Sequence, residues 1–179
     1  MRPYGDWSLL AELTATDAAQ SRLNEIAIIQ PALFAMQVAL AALWRSWGIE
    51  PQAVVGHSMG EVAAAYVAGA LSLEDAVRII CCRSGLVKCT IGQGAMAAVE
   101  LSIEEARRAL ADYEDRVSIA ASNSPTSTVL SGDPATLAAI VNQLQRQDIF
   151  CRQVKVDFAS HSPQMDPLRT DLCNRSRPG

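Results

Sequence analysis

The chain has 179 residues, half of them hydrophobic and 5% aromatic, with a net charge of −4 from 15 basic and 19 acidic side chains. This length fits one domain and supplies ample apolar material for a buried core. The apolar fraction and the small net charge exclude an intrinsically disordered chain, and the negative balance argues against a nucleic-acid partner.

The cysteines and the N-terminus indicate a reducing compartment. The cysteines are odd in number and contain no CxxC pair, and the N-terminal residues lack the apolar stretch of a signal peptide. The apolar run 27–44 is interrupted by Gln30, Pro31 and Gln37, which favours a buried helix over a membrane span. We therefore predict free thiols, a cytoplasmic location, no metal site and no membrane partner. The cysteines are Cys81, Cys82, Cys89, Cys151 and Cys173.

The first half of the chain is predicted to be helical apart from one strand. Pro31 is typical of a first helical turn, and Gly48 of the position after a last turn. Ser72 and Asp75 indicate a capped helix. In chain order we expect surface helices within 7–24, a helix over 31–47, a short buried strand over 52–55, and helices to about 68 and over 73–88.

The second half is predicted to alternate strands with helices. Ser102 and Asp133 are the N-cap signals, the second followed by a proline. The segment 92–94 follows a helix and precedes a strand, the reverse of a dinucleotide-binding loop, and so indicates a flexible connector. The order strand-helix-strand-strand-helix-strand is the ferredoxin-like arrangement, which closes as a compact subdomain. We expect strands over 96–100, 117–122, 126–131 and 150–156, and helices over 103–112 and 134–147.

The motif Gly56-x-Ser58-x-Gly60 stands between a predicted strand and a predicted helix, which is the context of a nucleophile elbow. Glycines on both sides of the serine allow a turn too tight for other side chains, so the serine is lifted out of the sheet edge. The N–H of Met59 then lies at a helix N-terminus, where it can stabilise an oxyanion. The alternative is a glycine-rich turn that carries an ordinary serine.

A serine nucleophile needs a general base, because its hydroxyl is weakly nucleophilic at neutral pH. The chain has two histidines, His57 and His161. Adjacent side chains on such a turn diverge, so His57 fits a structural role beneath the elbow. His161 follows the last predicted strand of the second half, and serine enzymes usually bring their base from a remote segment. We therefore favour His161 as the base.

Arg83 is predicted to lie on an apolar helix face, because residues 79, 80, 86 and 87 are Ile, Ile, Leu and Val. A buried charge without a partner is costly, so Arg83 requires an anion. That anion is either a carboxylate of the protein or the free carboxylate of a substrate, held by two hydrogen bonds.

These motifs together resemble the acyltransferase domain of modular type I polyketide synthases, which is related to the malonyl-CoA:acyl carrier protein transacylases. The resemblance rests on residues 56–61 (GHSMGE), Arg83 in CCRSG, residues 123–125 (NSP) and residues 158–161 (FASH). It implies an α/β-hydrolase-like body, incomplete at both ends, with an inserted ferredoxin-like subdomain. The expected parts are 1–91 with the elbow, 92–156 as the small subdomain, and 157–179 as the return to the large one.

The resemblance also implies a reaction. Ser58 attacks an acyl-CoA thioester while His161 removes its proton, and the Met59 N–H supplies half of the oxyanion hole. The phosphopantetheine thiol of an acyl carrier protein then collects the acyl group, and other polyketide synthase domains or chains are further partners. Arg83 holds the carboxylate of a malonyl-type extender unit, for polyketide or branched-lipid synthesis. No bound cofactor is expected. The other residues placed at the substrate site are Gln30, His57, Asn123, Phe158 and Ser160.

The choice of extender unit follows from one motif. In this family a Tyr-Ala-Ser-His motif accompanies methylmalonyl units and a His-Ala-Phe-His motif accompanies malonyl units. The segment 158–161 (FASH) differs from the first by one hydroxyl, so we favour methylmalonyl. One methyl group is worth only about 1–3 kcal/mol in an apolar pocket, so other pocket residues also affect the choice.

The chain departs from the family pattern at both ends, where an upstream Gly-Gln-Gly strand and the final strands and helices are missing. We therefore expect an internal piece of a domain, with exposed apolar edges and a tendency to aggregate. Two other functions stay open. A serine hydrolase or thioesterase needs an acid, for which Asp133, Asp148 and Asp157 are candidates. An inactive remnant of a polyketide synthase needs no intact site.

Overall fold

The computed structural model describes residues 1, 4–17, 19 and 21–176. The chain is an α/β polypeptide with a small antiparallel sheet, and it divides into two compact units, Met1–Lys88 with Thr170–Gly179, and Cys89–Arg169. Residues 157–169 thus belong to the second unit, whereas 157–179 is predicted to return to the first. The elements are α1 (Leu9–Thr14), α2 (Ile26–Ser46), α3 (Gly60–Val67), α4 (Leu73–Val87), β1 (Ala95–Val99), α5 (Ile103–Leu110), β2 (Val117–Ser124), β3 (Ser127–Gly132), α6 (Pro134–Gln145), β4 (Cys151–Gln153) and α7 (Leu168–Arg175).

Helix α2 begins at Ile26, upstream of the predicted start. Pro31 therefore lies inside the helix instead of in its first turn. Ile28 is fully buried, and the burial of this first turn outweighs the backbone hydrogen bond that a proline cannot donate. The end of the helix is as predicted, because Gly48 takes a φ of +80° and the N–H groups of Gly48 and Ile49 bond to carbonyls of the last turn.

Within the described residues, α2 is the helix that is long and apolar enough to cross a membrane, with a mean hydropathy of 2.0 over its most apolar 18 residues. It packs against α3 and α4, as the core helix of a folded domain does. Its buried apolar residues include Ile28, Ala32 and Phe34 in the first half. Its exposed apolar residues run along both halves, namely Leu33, Met36, Leu40, Leu43 and Trp44. The helix therefore has a buried side and an exposed apolar side.

The strand predicted over 52–55 is not formed. This segment lies outside the helices and strands, and no backbone hydrogen bond from the described part of the chain engages it. Val55 is 97% exposed, so the segment is not buried either. A strand needs a neighbour to pair with, and the four strands of the described sheet all belong to the second unit.

Helices α1 and α4 of the first unit begin where serine N-caps occur in the sequence. Ser72 begins α4, where its Oγ accepts a hydrogen bond from the Asp75 N–H at 3.1 Å. The predicted helical region 7–24 reduces to α1 after Ser8, although residues 18 and 20 of that region lie outside the described residues. Helix α7 was not expected from the sequence. One cluster of buried residues in this unit contains Phe34, Ala63, Ala76, Ile80 and Cys81.

The second unit is a four-stranded sheet with two helices on one face. Its elements follow the predicted order, and its strands lie in the order β2-β3-β1-β4 with each neighbouring pair antiparallel. Helices α5 and α6 pack on the face that carries Ala97, Val99 and Leu130, which are at most 2% exposed. At the start of α5, Ser102 and Glu105 form a complete capping box, as predicted.

Strand β4 is shorter than the predicted 150–156. Its strand register with β1 runs from Cys151 to Gln153, and one more hydrogen bond, from the Val154 N–H to the Met96 carbonyl, follows it. The loop that contains residues 157–162 comes after this bond. Gly132, at the end of β3, lies against the neighbouring strand. A Cβ there would stand 2.2 Å from the Arg116 carbonyl oxygen, so only glycine fits.

Candidate active site

The turn 56–60 has the geometry of a nucleophile elbow. Ser58 takes a φ of +54°, a left-handed conformation that residues other than glycine rarely adopt. A Cβ on Gly56 would lie 2.3 Å from the backbone nitrogen of Glu61, so the chain requires glycine before the serine. Glycine was also expected to be required at position 60, but a Cβ there would have space, because the nearest atom is 3.8 Å away on Gln37. The sharp turn thus depends on Gly56 and on the strained serine.

Backbone donors stand directly after Ser58. The N–H groups of Gly60 and Glu61 bond to the carbonyls of His57 and Ser58, both at 3.0 Å. The N–H of Met59 makes no hydrogen bond within the described part of the chain, as is usual at the start of a helix. Since this donor stands at the positive end of α3, it is suited to stabilise a negatively charged oxygen.

Arg83 and Gln30 form a pair inside the first unit. Arg83 Nη1 donates a hydrogen bond of 2.5 Å to Gln30 Oε1, although 53 residues separate the two in sequence. Gln30 is only 7% exposed, and burial lowers the pKa of Arg83 from its ordinary value. A guanidinium nevertheless stays protonated at neutral pH. The pair is therefore a positive charge held in place by a neutral amide.

Among the described residues, no carboxylate forms an ion pair with Arg83. Arg78, on the same helix, shows the contrast, because Glu74 and Asp75 lie 3.3 and 3.4 Å from its guanidinium. The alternative in which a carboxylate of the protein neutralises Arg83 is therefore not realised in the described part of the chain. A charge in this setting favours an external anion.

An open apolar groove of about 470 Å³ runs beside the elbow in the first unit. The second half of α2, the segment 49–57 and α3 line it. His57 is exposed at this groove, so it does not pack beneath the elbow as its structural interpretation predicts. Its lining side chains include Gln37, Trp44, Arg45, Ile49, Val54 and Val55.

The segment that contains His161 is held within the second unit. Phe158, Ala159 and Ser160 are at most 9% exposed, whereas His161 is exposed and takes a φ of +59°. Backbone strain at a candidate base parallels the strain at Ser58. The buried neighbours therefore fix the backbone from which His161 projects.

The connector 92–94 positions the segment that contains His161. This role was not expected from the sequence. The N–H groups of Gly92 and Gly94 both bond to the carbonyl of Asp157, at 2.7 and 3.3 Å. A Cβ on Gly94 would lie 2.3 Å from the nitrogen of Ala159, so the two backbones are in contact. Glycines two residues apart were the available signal, because they permit such a close approach.

The predicted site residues fall into two sets, one in each unit. The first unit contains Gln30 and Arg83, which are bonded, and the consecutive residues His57, Ser58 and Met59. The second unit contains Asn123, which is exposed at the end of β2, together with Phe158, Ser160 and His161.

The three aspartates considered as the acid of a hydrolase lie at separate places in the second unit. The carboxylate of Asp133 caps α6 by accepting a hydrogen bond from the Thr136 N–H at 2.8 Å. Asp157 offers its carbonyl to the connector, and Asp148 lies in the turn after α6 with a φ of +59°. The described residues contain no group of three or more His, Cys, Asp or Glu side chains that could hold a metal ion.

Residues 1–176 match the family model of the acyl transferase domain, and the chain belongs to this family, a family of transferases found in polyketide synthases. It is 46% identical over 172 residues to erythronolide synthase EryA2 of Saccharopolyspora erythraea, which covers 96% of this chain and 5% of that protein. It is 48% identical over 173 residues to the spectinabilin polyketide synthase system protein NorA' of Streptomyces orinoci, with the same coverage.

Solved structures agree with this assignment. The acyltransferase domain from module 8 of the salinomycin polyketide synthase superposes with a TM-score of 0.91 at 39% identity, covering 97% of this chain and 41% of that one. A loading acyltransferase from the avermectin modular polyketide synthase gives a TM-score of 0.91 at 38% identity, covering 99% and 57%. The chain thus spans about half of the solved domains and a small fraction of the curated synthases that it matches.

Proposed function

We propose that this chain carries the acyl-transfer centre of a polyketide synthase acyltransferase, which loads a malonyl-type extender unit from acyl-CoA onto an acyl carrier protein. The observation that carries the proposal is the charged Arg83, held by Gln30 and without a carboxylate partner in the described residues. A hydrolase of simple esters has no use for such a charge, whereas an acyl group with a free carboxylate does.

The proposed reaction has two steps with one covalent intermediate. Ser58 Oγ attacks the thioester carbonyl while His161 takes its proton, and the Met59 N–H donates to the oxyanion. The carbon–sulfur bond then breaks, and the departing CoA sulfur takes the proton from His161. In the second step the phosphopantetheine thiol attacks the Ser58 ester, its proton passes through His161 to Ser58, and a new thioester forms on the carrier.

We propose methylmalonyl as the extender unit. The support is the segment 158–161, in which Phe158 and Ser160 are buried and their backbone is held by the connector. A phenylalanine without the hydroxyl of tyrosine keeps the size of the ring. The family association of the Tyr-Ala-Ser-His motif with methylmalonyl units points the same way.

We infer the finer architecture and location on the same basis. The strand order β2-β3-β1-β4 and the element order of the second unit support a ferredoxin-like subdomain. The elbow before α3 supports an α/β-hydrolase-like body for the first unit. The five cysteines, which form no disulfide with one another, support a cytoplasmic location, with other polyketide synthase domains as partners.

The test uses a chimaera in which these 179 residues replace the matching segment of the salinomycin module 8 acyltransferase domain. After incubation with methylmalonyl-CoA or malonyl-CoA, intact-protein mass spectrometry should show one acyl group, with more of the methylmalonyl adduct. Ser58→Ala should abolish the adduct, because no other residue is proposed to accept the acyl group. Ser46→Ala, at the exposed end of α2, is the matched control and should load normally.

Addition of a carrier protein with its phosphopantetheine arm should then remove the acyl group from Ser58 and place it on the carrier. An adduct that persists in Ser58→Ala would contradict the assignment of the nucleophile. Turnover of simple esters that survives Arg83→Ala, without transfer to the carrier, would instead support the hydrolase alternative. A chimaera that folds but acquires no acyl group would support an inactive remnant.

A further inference from the structure

Ser162 is a buried serine that directly follows the candidate base. It is 8% exposed, and its hydroxyl donates a hydrogen bond of 2.8 Å to the carbonyl oxygen of Ala159. The same hydroxyl oxygen accepts a hydrogen bond of 3.3 Å from the Gln164 N–H. One side chain thus joins the backbone that precedes His161 to the backbone that follows it.

The upstream end of this bridge is a fixed point of the second unit. Ala159 is fully buried, and a Cβ on Gly94 would stand 2.3 Å from its backbone nitrogen. The nearby carbonyl of Asp157 accepts hydrogen bonds from the N–H groups of Gly92 and Gly94. The Ala159 carbonyl is therefore held in place before the hydroxyl of Ser162 bonds to it.

The backbone of His161 needs support from its surroundings. Its φ of +59° lies in the left-handed region, which a residue with a side chain rarely adopts unless neighbouring contacts enforce it. Its side chain is exposed, so burial does not hold the residue in this conformation. The hydroxyl of Ser162 bonds on both sides of the strained residue and is suited to hold it.

A helix cap accounts for only half of these bonds. Pro163–Met165 is a short 3₁₀ helix, and an N-cap serine needs only to accept an N–H from the first turn that follows it. Ser102, the N-cap of α5 in the same unit, donates its own hydrogen to Glu105 inside that helix. Ser162 instead donates to Ala159, which precedes the candidate base. This second bond serves the loop around the base and not the helix after it.

We propose that Ser162 is a positioning residue for the general base of acyl transfer. Its hydroxyl fixes the strained backbone of His161, so that the imidazole stays where it can take the proton of Ser58 and return it to the departing CoA sulfur. Ser162 itself neither gives nor takes a proton in the reaction. The inference rests on the proposed function, because it takes His161 as the base.

The first experiment uses the full 179-residue chain without any substrate. In Ser162→Ala, the NMR order parameter of the His161 amide should fall from about 0.85, the value of rigid backbone, to below about 0.6. The amide of His57, the other histidine in the sequence, is the internal reference and should keep its value. Ser102→Ala is the matched control, because it removes a serine cap from α5 and should leave His161 rigid.

The second experiment measures transfer of the methylmalonyl group to the carrier protein in the chimaera. Ser162→Ala should lower kcat by about 10–100-fold and leave KM within about twofold, because a misplacement of about 1 Å slows the chemical step. Ser162→Thr keeps the hydroxyl and should regain most of the lost rate. Ser102→Ala should change neither constant.

A His161 amide that stays rigid in Ser162→Ala would overturn the inference, whatever the rate of transfer. A kcat that falls no further than in Ser102→Ala would overturn it as well, and so would a fall that Ser162→Thr does not reverse. A wild-type chimaera that acquires no acyl group would contradict the proposed function instead. The order parameter of His161 would still decide whether Ser162 holds this backbone.

Discussion

At the scale of single residues, the charge on Arg83 is the feature with the clearest chemical consequence. Within the described residues, the guanidinium of Arg83 donates one hydrogen bond, to the neutral Oε1 of Gln30. Its other N–H groups are therefore available to a ligand. Gln30 itself accepts with Oε1, so its amide NH₂ is a further donor next to the guanidinium. The two residues are therefore suited to bind a carboxylate together.

Arg83→Ala in the chimaera should lower the rate of loading from methylmalonyl-CoA by about 100-fold, since removing one side of a buried charge pair costs about 2–5 kcal/mol. Loading from propionyl-CoA, which lacks the free carboxylate, should change far less. Arg78→Ala is the matched control, because that arginine already pairs with Glu74 and Asp75 on the same helix. An equal loss with both acyl-CoA substrates would mean that Arg83 supports the fold and not the carboxylate.

Gln30→Glu tests the pair from its other side. A carboxylate at position 30 would neutralise Arg83 from within, so we expect weaker loading of methylmalonyl with an unchanged circular dichroism spectrum. The effect should appear mainly as a higher KM, because the introduced carboxylate competes with that of the substrate. A chimaera with Gln30→Glu that loads normally would contradict the proposed role of this pair.

At the scale of elements, helix starts follow short-range chemistry. In α5, Ser102 Oγ accepts from the Glu105 N–H at 3.3 Å, and Glu105 Oε2 accepts from the Ser102 N–H at 2.8 Å. The Ser102 hydroxyl also donates to Glu105 Oε2 at 2.7 Å. This bond first, and the bond from the Ser102 N–H second, lower the pKa of the Glu105 carboxyl below its ordinary value of 4.5. The box therefore stabilises the folded helix above pH 4.5, and this stabilisation is lost as the pH falls through the lowered pKa.

Ser102→Ala should weaken α5 by about 1 kcal/mol, which corresponds to a roughly fivefold faster exchange of its first-turn amides. The pKa of Glu105, followed by NMR titration, should rise back toward 4.5. Ser102→Thr keeps an oxygen at the cap and should restore both values. Ser8→Ala, at a cap with a single long bond of 3.5 Å, should leave α5 unchanged. A Glu105 pKa that does not move in Ser102→Ala would contradict this account.

At the scale of the whole molecule, the described residues form two separate apolar cores. One contains Ile80 between α2, α3 and α4, and the other contains Leu130 between the sheet and its helices. Both side chains are fully buried. Because each core lies within its own unit, we expect the two units to unfold with separate free energies.

Leu130→Ala should destabilise the second unit by about 2–5 kcal/mol through lost burial and a residual cavity. Hydrogen exchange should accelerate in β1, β2 and β3 while α2 and α4 keep their protection. Ile80→Ala is the reciprocal variant and should loosen α2 and α4 alone. Equal acceleration in both units after either substitution would show that the chain unfolds as one cooperative body.

The sequence by itself determined the features whose interactions involve only residues close together in the chain. Gly48 ends α2, Ser102 and Glu105 cap α5, and residues 56–60 form the turn around Ser58. Each of these three features depends only on residues that are close to it in sequence. The motifs were also sufficient to identify the family. These features require only a local arrangement of donors, acceptors and permitted φ angles.

The tertiary structure alone decided the features that depend on distant partners. Gln30 lies 53 residues from Arg83, and Gly94 contacts a segment more than 60 residues away. The residues beside them therefore do not identify the partner, although the glycines of the connector permit a close approach. Pro31 sits inside α2 because burial of the preceding turn outweighs its missing hydrogen bond. The segment 52–55 has the composition of a strand but no neighbour to pair with, since strand formation is a property of two segments and not of one.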